Sequence, residues 1–477
     1  STLARREHFC HEELRLNRRL AGDMYLGVVP ITRRDDGGLR MDGDGPALEY
    51  AVEMVRLPAE RMLDKLLAAG EIDNALLRDL VDVLTAFHRS AAGGEEIARY
   101  GSHAAVRELV LGNLRELQAF VGDGAGEVSR PVLAFLTERA QAFLTLHEGL
   151  FERRAQRGRV REGHGDLHAA NICCTDAGLV IYDSLEFSAA LRCSDVANDL
   201  AFLAMELDHH GFRAFSKYLV QYYARTSGDS ALAWLMDFYK GYRALVRAKV
   251  AAIVASDSRA TAEDRAAARQ NVATYTQLAA SYELPPCLVL TCGLPASGKS
   301  WLAQRIGKTF DARVLRSDME RKLAAGMAPG DRLEGAAAAA LYSAENTDAV
   351  YSSLCRRGFN TLARGRWAVI DATFTTSVQR RRFIDGATRL GHPVVVVEVT
   401  CAPEIIRERM TRRSVDRGEV SDADHAVYEA MRQRFEPLDE LPCTHRVHYA
   451  SGEDPTAVIS ALVERLVMQA TDSPPPP

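Results

Sequence analysis

Hydrophobic positions change their period once along this chain, near residue 284. Before it the spacing is mostly helical. A charged amphipathic stretch at about 3–20 predicts a first helix, and the apolar runs YLGVVPI (25–31) and LEYAVEMVRL (48–57) predict strands flanking a polar Asp/Gly-rich turn at 35–45. Helical periodicity then covers about 59–69, 72–91, 103–121, 130–156, 196–209, 211–226, 231–254 and 262–281, with a non-helical island at 162–195. Beyond Pro285-Pro286 short apolar runs at 287–292, 312–316, 367–371, 393–400 and 445–449 alternate with helical patterns. That alternation predicts a parallel sheet with helices on both faces. The expected domains are 1–283, mixed α and β with a large helical part, and 284–470, a doubly wound α/β unit; a Pro-rich tail occupies 471–477.

Composition changes this picture little. The chain has 477 residues, a length that suits two to four domains at about 150 residues each. Its 47% hydrophobic and 26% charged residues are globular values. The net charge is −5, with −6 on residues 1–283 and +1 on the remainder, so no global field draws the protein to nucleic acid or anionic lipid. Neither a run of 18 apolar residues nor a signal peptide is visible, and nine scattered cysteines form no CxxC pair; a cytoplasmic protein with reduced thiols and no membrane partner is expected. Only seven of the 59 basic residues are lysines, so a lysine doing chemistry has few places to be.

One of those lysines lies in Gly293-Leu-Pro-Ala-Ser297-Gly298-Lys299-Ser300, a GxxxxGK[ST] phosphate loop between an apolar strand and a helix. Gly293, Ser297 and Gly298 belong to a loop whose backbone N–H groups close on phosphate oxygens at a helix N-terminus. Lys299 faces the β/γ-phosphates, and the Ser300 hydroxyl is a Mg²⁺ ligand. The second strand ends in Arg316-Ser-Asp318, with Arg321 one turn on. At the carboxyl edge of such a sheet Asp318 is placed to accept the proton of an acceptor hydroxyl, and Arg321 to hold the acceptor. The third strand closes on Asp371, suited to Mg²⁺ or its water. Arg407, Arg409, Arg412, Arg413 and Arg417 precede SDAD (421–424), and the 412–417 group reads as leaving its helix to form a flap over the phosphates.

GLPASGKS, RSDMERK, VIDATF and the arginine flap resemble the adenylate-kinase-like P-loop kinases, within them the small-molecule kinases related to polynucleotide 5′-kinase, gluconate kinase and the zeta-toxin sugar-nucleotide kinases. The resemblance spans about 287–470. It implies a nucleotide triphosphate donor, Mg²⁺ and a hydroxyl acceptor, with Asp318 as base and Arg412, Arg413 or Arg417 as lid contacts. The absence of an NKxD motif makes ATP the default donor.

The first half carries a second constellation, Gly163-His164-Gly-Asp166-Leu-His168-Ala-Ala-Asn171 followed by Leu179-Val-Ile-Tyr-Asp183. One carboxylate orienting a hydroxyl, with an Asn and a second carboxylate on Mg²⁺, is the logic of a kinase catalytic loop. HGDLHAAN and YDSLEF resemble the aminoglycoside phosphotransferase and choline-kinase group, closest to the branch fused to a P-loop kinase, whose shared segments appear as CHEELRLNRRL, YLGVVPI, VEMVRLP and DVANDLAFL. The resemblance implies a protein-kinase-like fold with a reduced N-lobe and a mostly helical C-lobe. In it Asp166 is the base, Asn171 and Asp183 are Mg²⁺ ligands, Glu13 is the helix-C glutamate, and His168 and Glu186 line the acceptor or metal side. Asp195 and Asp199 read as supports for the loop. A lysine partner for Glu13 should precede it, yet none lies in the twelve residues that do, and Lys65 falls on the wrong side of the strands. Either an upstream segment is missing from this sequence, as its non-Met start suggests, or this lobe is degenerate.

Three functions follow in order of support. The first is an ATP- and Mg²⁺-dependent kinase acting on a small-molecule hydroxyl through the second domain, with the first domain a second kinase or a substrate platform. The second is a polynucleotide or nucleotide-end 5′-kinase, with Arg356, Arg357, Arg364, Arg366 and Arg380-Arg381-Arg382 tracing a phosphate backbone; the +1 charge and the lack of interleaved aromatics weigh against a nucleic-acid partner. The third is a nucleotide-gated regulatory protein with a degenerate first domain. The acceptor and the oligomeric state are not written in the sequence.

Overall fold

The computed structural model describes residues 2–122, 124, 126–328, 331, 341–415 and 425–472, with side chains for all of these except 412–415, 425–427 and 471–472. The chain forms two compact units, Ser1–Ala119 with Thr137–Lys249, and Phe120–Leu136 with Val250–Pro477.

In the first unit α1 (Leu3–Ala21) starts at Thr2, whose side chain accepts from the Arg5 N–H. A three-stranded antiparallel sheet follows, ordered β2 (Leu39–Met41), β1 (Tyr25–Arg33), β3 (Glu49–Met54). β2 lies inside the stretch expected to be a turn. All three of its side chains face solvent, so it has no apolar alternation to read. Next come α2 (Leu63–Ala69), α3 (Asn74–Ser90), α4 (Glu95–Ala98), α5 (His103–Leu117), α6 (Arg130–Leu146), which belongs to this unit from Thr137 on, and α7 (Glu148–Gln156). The single helix expected over 130–156 thus breaks at His147, where His147 and Gly149 place two weak helix formers close together.

The non-helical island holds two small antiparallel pairs. β4 (Val160–Glu162) pairs with β7 (Cys193–Asp195), and β5 (Ile172–Thr175) with β6 (Gly178–Ile181); the short α8 (Ala189–Arg192) precedes β7. α9 (Val196–His209) is buried from Val196 to Asp208, with α10 (Arg213–Ser227) and most of α11 (Ala233–Ser256) around it. That burial explains its apolar residues on every side.

The second unit contains α12 (Ala262–Glu283), then β8 (Leu288–Cys292), α13 (Lys299–Phe310), β9 (Arg313–Arg316), α14 (Ser317–Ala324), α15 (Ala344–Leu362), β10 (Ala368–Asp371), α16 (Ser377–Arg389), β11 (Val394–Thr400), α17 (Pro403–Val415), α18 (His425–Arg434), β12 (Arg446–Ala450) and α19 (Pro455–Asp472). The five strands form one parallel sheet ordered β12-β11-β8-β10-β9. β8 and β10 are buried along their whole length, as a sheet covered on both faces requires. Chain order reverses at β8, which puts a ligand crevice at its carboxyl end. α12 lies on the second unit's side of the division, because Gln277 donates to Thr456 O (3.0 Å) and Ser460 Oγ (2.8 Å) on α19. The compact division therefore falls after Lys249, while the change of hydrophobic period marks only the start of the sheet. Among the described residues no helix is long and apolar enough to cross a membrane.

Candidate active site

The phosphate loop leaves β8 at Gly293, whose φ of +144° suits glycine; a Cβ there would stand 2.2 Å from Val399 O. Ala296 and Gly298 also have positive φ, and α13 begins at Lys299. The loop therefore delivers its backbone N–H groups to a helix N-terminus, where anions bind. Lys299 folds back over the loop, its Nζ donating to Leu294 O at 2.6 Å. Ser297 is 1% exposed and its Oγ has no hydrogen-bond partner among the described residues.

Around this loop the strand ends assemble a cavity of about 560 Å³, lined in part by Lys299, Ser300, Asp318, Arg321 and Asp371. Asp371 is buried, accepts a hydrogen bond from Thr291 Oγ1 (3.3 Å) and pairs with Arg316 Nε (3.3 Å). Arg316 also reaches Ser300 Oγ (3.4 Å), so one guanidinium spans both expected Mg²⁺ residues. Arg316 and Thr291 were not singled out by sequence; Arg316 stands in the quoted RSD segment, yet only the fold shows that it turns toward the loop. Asp318 lies in the first turn of α14, whose N-cap is Arg316, so its carboxylate does not act as the cap. Arg321 is buried, donates to Leu341 O (3.1 Å) and Thr347 Oγ1 (3.3 Å), and lies 4.5 Å from the Tyr342 ring centroid. Cys292, beneath the loop, is inert as a nucleophile because burial pushes its thiol up to about 12.

The cavity's other wall comes from Arg409 and the loop after β12. Arg409 donates to Ala296 O (3.1 Å) and Ser451 Oγ (3.1 Å), whereas Arg407 is exposed. Tyr449, Ser451, Gly452 and Glu453 complete this wall, a contribution the sequence did not signal. α17 continues through Val415, so Arg412 and Arg413 remain helical and do not begin a loop. Their side chains, like Arg417 and SDAD, lie outside the described residues.

The arginines offered as a polynucleotide track are largely committed. Arg380 is 0% exposed, pairs with Glu440 (2.6 Å) and donates to Phe374 O, Glu436 O and Pro437 O. Arg357 pairs with Glu320, and Arg382 with Asp348. A buried guanidinium holding three carbonyls cannot follow a phosphate backbone.

In the first unit Asp166 and His168 meet at 3.4 Å, and Asn171 Nδ2 donates to Asp166 O (3.1 Å). Burial raises the Asp166 carboxyl, but His168, Arg243 and His164 together outweigh it and hold the group below its ordinary value. Asp183 has φ 66° and is pushed up by burial and then by Asp166. Glu13 is raised by burial, Glu186 and Asp183 in that order. Glu186 and Asp183 thus lie near enough to Glu13 to oppose its charge. Lys65 pairs with Asp64 on α2. Asp199 fixes the loop by accepting the N–H groups of His164 (2.7 Å) and Gly165 (2.9 Å), and Asp195 caps α9 through the Ala197 N–H (2.8 Å). Both thus have the supporting places expected of them.

Among the described residues no group of three or more His, Cys, Asp or Glu has metal-holding geometry. Ser300 and Asp371, joined through Arg316, are a smaller set of the kind that leaves positions for water and phosphate oxygens on Mg²⁺. The unpartnered Ser297 Oγ and the glycine cradle fit a phosphate chain.

The family model AAA_33, described as an AAA domain, matches residues 288–438. The parallel sheet and the GxxxxGK[ST] loop within this range are those of a P-loop nucleotide-binding domain. A Mycobacterium tuberculosis H37Rv protein described as "Uncharacterized protein Rv2004c" is 31% identical over 455 residues, covering 95% of this chain and 86% of its own length. Among solved structures, a gluconokinase from Sinorhizobium meliloti 1021 is 14% identical with a TM-score of 0.28, covering 39% of this chain and 95% of its own. The Mycobacterium tuberculosis APS kinase CysC, in complex with AMPPNP and APS, is 14% identical with a TM-score of 0.29, covering 38% and 98%.

Proposed function

Since this chain belongs to the family of the mycobacterial protein Rv2004c, matched along nearly all of both chains, we propose that it is a kinase whose second unit transfers the γ-phosphate of ATP to a hydroxyl of a small molecule. The observation that carries this reading is the convergence of Lys299, Ser300, Asp318, Arg321 and Asp371 on one cavity. Lys299 and the loop N–H groups hold the phosphates, and Arg321 holds the acceptor. Asp318 takes the hydroxyl proton as the oxygen bonds to the γ-phosphorus and the bond to the departing ADP breaks. Ser300 and Asp371 are the residues that would hold Mg²⁺, which supplies charge neutralisation on the phosphates. Arg316 orients both. Arg409 steadies the loop, and Arg412, Arg413 and Arg417 are the proposed lid contacts.

The first unit, with Asp166 as base, Asn171 and Asp183 toward Mg²⁺ and His168 beside the acceptor, is proposed as a second kinase of the aminoglycoside phosphotransferase kind or a platform that binds the substrate. A small acceptor is favoured over a polynucleotide by the burial of Arg380. The test is a metabolite-pool screen with labelled ATP on wild type and Lys299→Ala side by side. A product made by the first and not the second identifies the acceptor; a product made equally by both assigns the chemistry elsewhere.

A further inference from the structure

The most basic segment of the chain takes no part in either constellation. Residues 152–162 read ERRAQRGRVRE, with arginines at 153, 154, 157, 159 and 161, inside a half whose net charge is −6. In the first unit this segment, the end of α7 and the turn into β4, lines a cavity of about 410 Å³ with His147, Asp229 and Trp234. A mononucleotide fits a pocket of that size.

The charges at this cavity are unevenly satisfied. Arg154 is buried and binds Asp195 (2.5 and 2.7 Å) and Asp229 (both 2.8 Å), so the one acid in the wall is already committed. The Arg159 guanidinium stands 3.8 Å from that same Asp229 and, among the described residues, otherwise donates to Ser227 O and Gly228 O, both at 3.4 Å. Arg153 and Arg157 are exposed, and among the described residues their guanidinium groups make neither a hydrogen bond nor an ion pair. The C-terminal end of α7 offsets some of the repulsion on Arg153, since cations are favoured in a last turn. Arg157, at the cap, and Arg159 beyond it gain less. Three guanidinium groups therefore face one cavity with a single, already shared carboxylate among them. Beside them is Trp234, a large ring 69% exposed. Forked cations and an open aromatic face are the two elements that grip a phosphate and a planar base.

We propose that this cavity binds a nucleoside phosphate, with Arg153, Arg157 and Arg159 on the phosphate and Trp234 stacked on the base. The site is separate from the phosphate loop and does not depend on the function proposed above. It also reaches the first unit's catalytic-type loop through fixed contacts. Arg154 ties the cavity floor to Asp195, which caps α9, and Asp199 on that helix holds the His164 and Gly165 N–H groups.

The test uses the full chain carrying Trp301→Phe. Of the three tryptophans, Trp367 is 6% exposed, so Trp234 then dominates the solvent-accessible fluorescence. Adenosine 5′-monophosphate is titrated in, with inorganic phosphate and a ten-nucleotide single-stranded RNA as comparison probes, and calorimetry run in parallel. Saturable quenching is expected. Arg153→Gln with Arg157→Gln should weaken binding about tenfold or more, the scale of lost charge-assisted hydrogen bonds. Trp234→Leu should weaken it several-fold by calorimetry. Arg153, Arg157 and Trp234 are all exposed, so folding is not at stake. Three results overturn the proposal: no binding, or affinity insensitive to the arginine pair; inorganic phosphate binding as tightly as the nucleotide, which removes the base contact; or RNA binding far more tightly with a steep salt dependence, which marks a nucleic-acid surface.

Discussion

His164 is expected to stay neutral well into the acid range, and the stability of the first unit should fall as it is forced to charge. The ring is 0% exposed, with Nε2 2.9 Å from Tyr182 O and Nδ1 3.3 Å from the Asp166 nitrogen. These partners assign the hydrogen to Nε2 and leave Nδ1 accepting from the Asp166 N–H. A second proton on Nδ1 would point at that N–H. Burial is the main cause that brings the group down from 6.5 to about 4, against the opposing pull of Asp199 and Asp166. Because the folded value is the lower one, the unfolded chain takes up the proton first. The stabilisation is complete above pH 6.5 and is lost as pH falls toward 4. That gap corresponds to about 3 kcal/mol. His209, also lowered to about 4 by burial, adds to the slope, while the raised Asp183 and Glu13 oppose it. The quantity to measure is therefore the difference from His164→Gln, which cannot charge but can still donate to Tyr182 O. Urea unfolding of the full chain at pH 7 and pH 4.5 should cost wild type about 2 kcal/mol more than the variant. In ¹³C-histidine spectra the resonance missing from the variant should inflect near 4. An inflection near 6.5, or parallel stability slopes, would refute the reasoning.

Four further outcomes follow from the second unit. Lys299→Ala should remove most nucleotide turnover in a phosphate-release assay; retention within a few-fold would move the activity away from the loop. Asp318→Asn should leave nucleotide affinity within a few-fold by calorimetry while transfer falls by about 10² or more, and an equal loss of affinity would make Asp318 a binding or structural residue. Arg316→Gln should raise the Mg²⁺ concentration needed for half-maximal nucleotide binding by several-fold, because Ser300 and Asp371 lose their common partner; an unchanged Mg²⁺ titration would count against that role. Arg380→Met should destabilise the second unit by about 3–5 kcal/mol in denaturant titrations, since Glu440 is left unpaired and three carbonyls lose their donor, and a loss below about 1 kcal/mol would contradict the structural assignment.

The parts of the site that were legible in the sequence are those fixed by local backbone geometry. A phosphate loop must follow a strand and open a helix, so Gly293 to Ser300 could be placed from their neighbours alone, and Asp318 and Asp371 fell at strand ends that a parallel sheet aligns. Long-range choices were not legible. Arg380, Arg381 and Arg382 look alike as a basic triplet, yet adjacent helical positions point about 100° apart, and only Arg380 turns into the core. Twice that rotation separates the exposed Arg407 from Arg409, which bonds the phosphate loop. β2 escaped because an exposed edge strand needs no apolar face, and the assignment of 120–136 to the second unit depends on a partner helix over a hundred residues away.

That last feature bears on how such a gene can be taken apart. The chain leaves the first unit at Ala119, returns at Thr137 and leaves it again after Lys249, so neither unit is a single continuous stretch. A clone starting at residue 284 would keep the phosphate loop and every strand of its sheet. It would lack α12, with the Gln277 bonds to Thr456 and Ser460, and the 120–136 segment, whose Gly126 lies so close against Arg269 that a Cβ would be 2.0 Å from Cγ. A recombination that joined two genes at a single point would leave the same gaps. With 120–136 in the second unit, no single cut separates the two halves, so they pass on together.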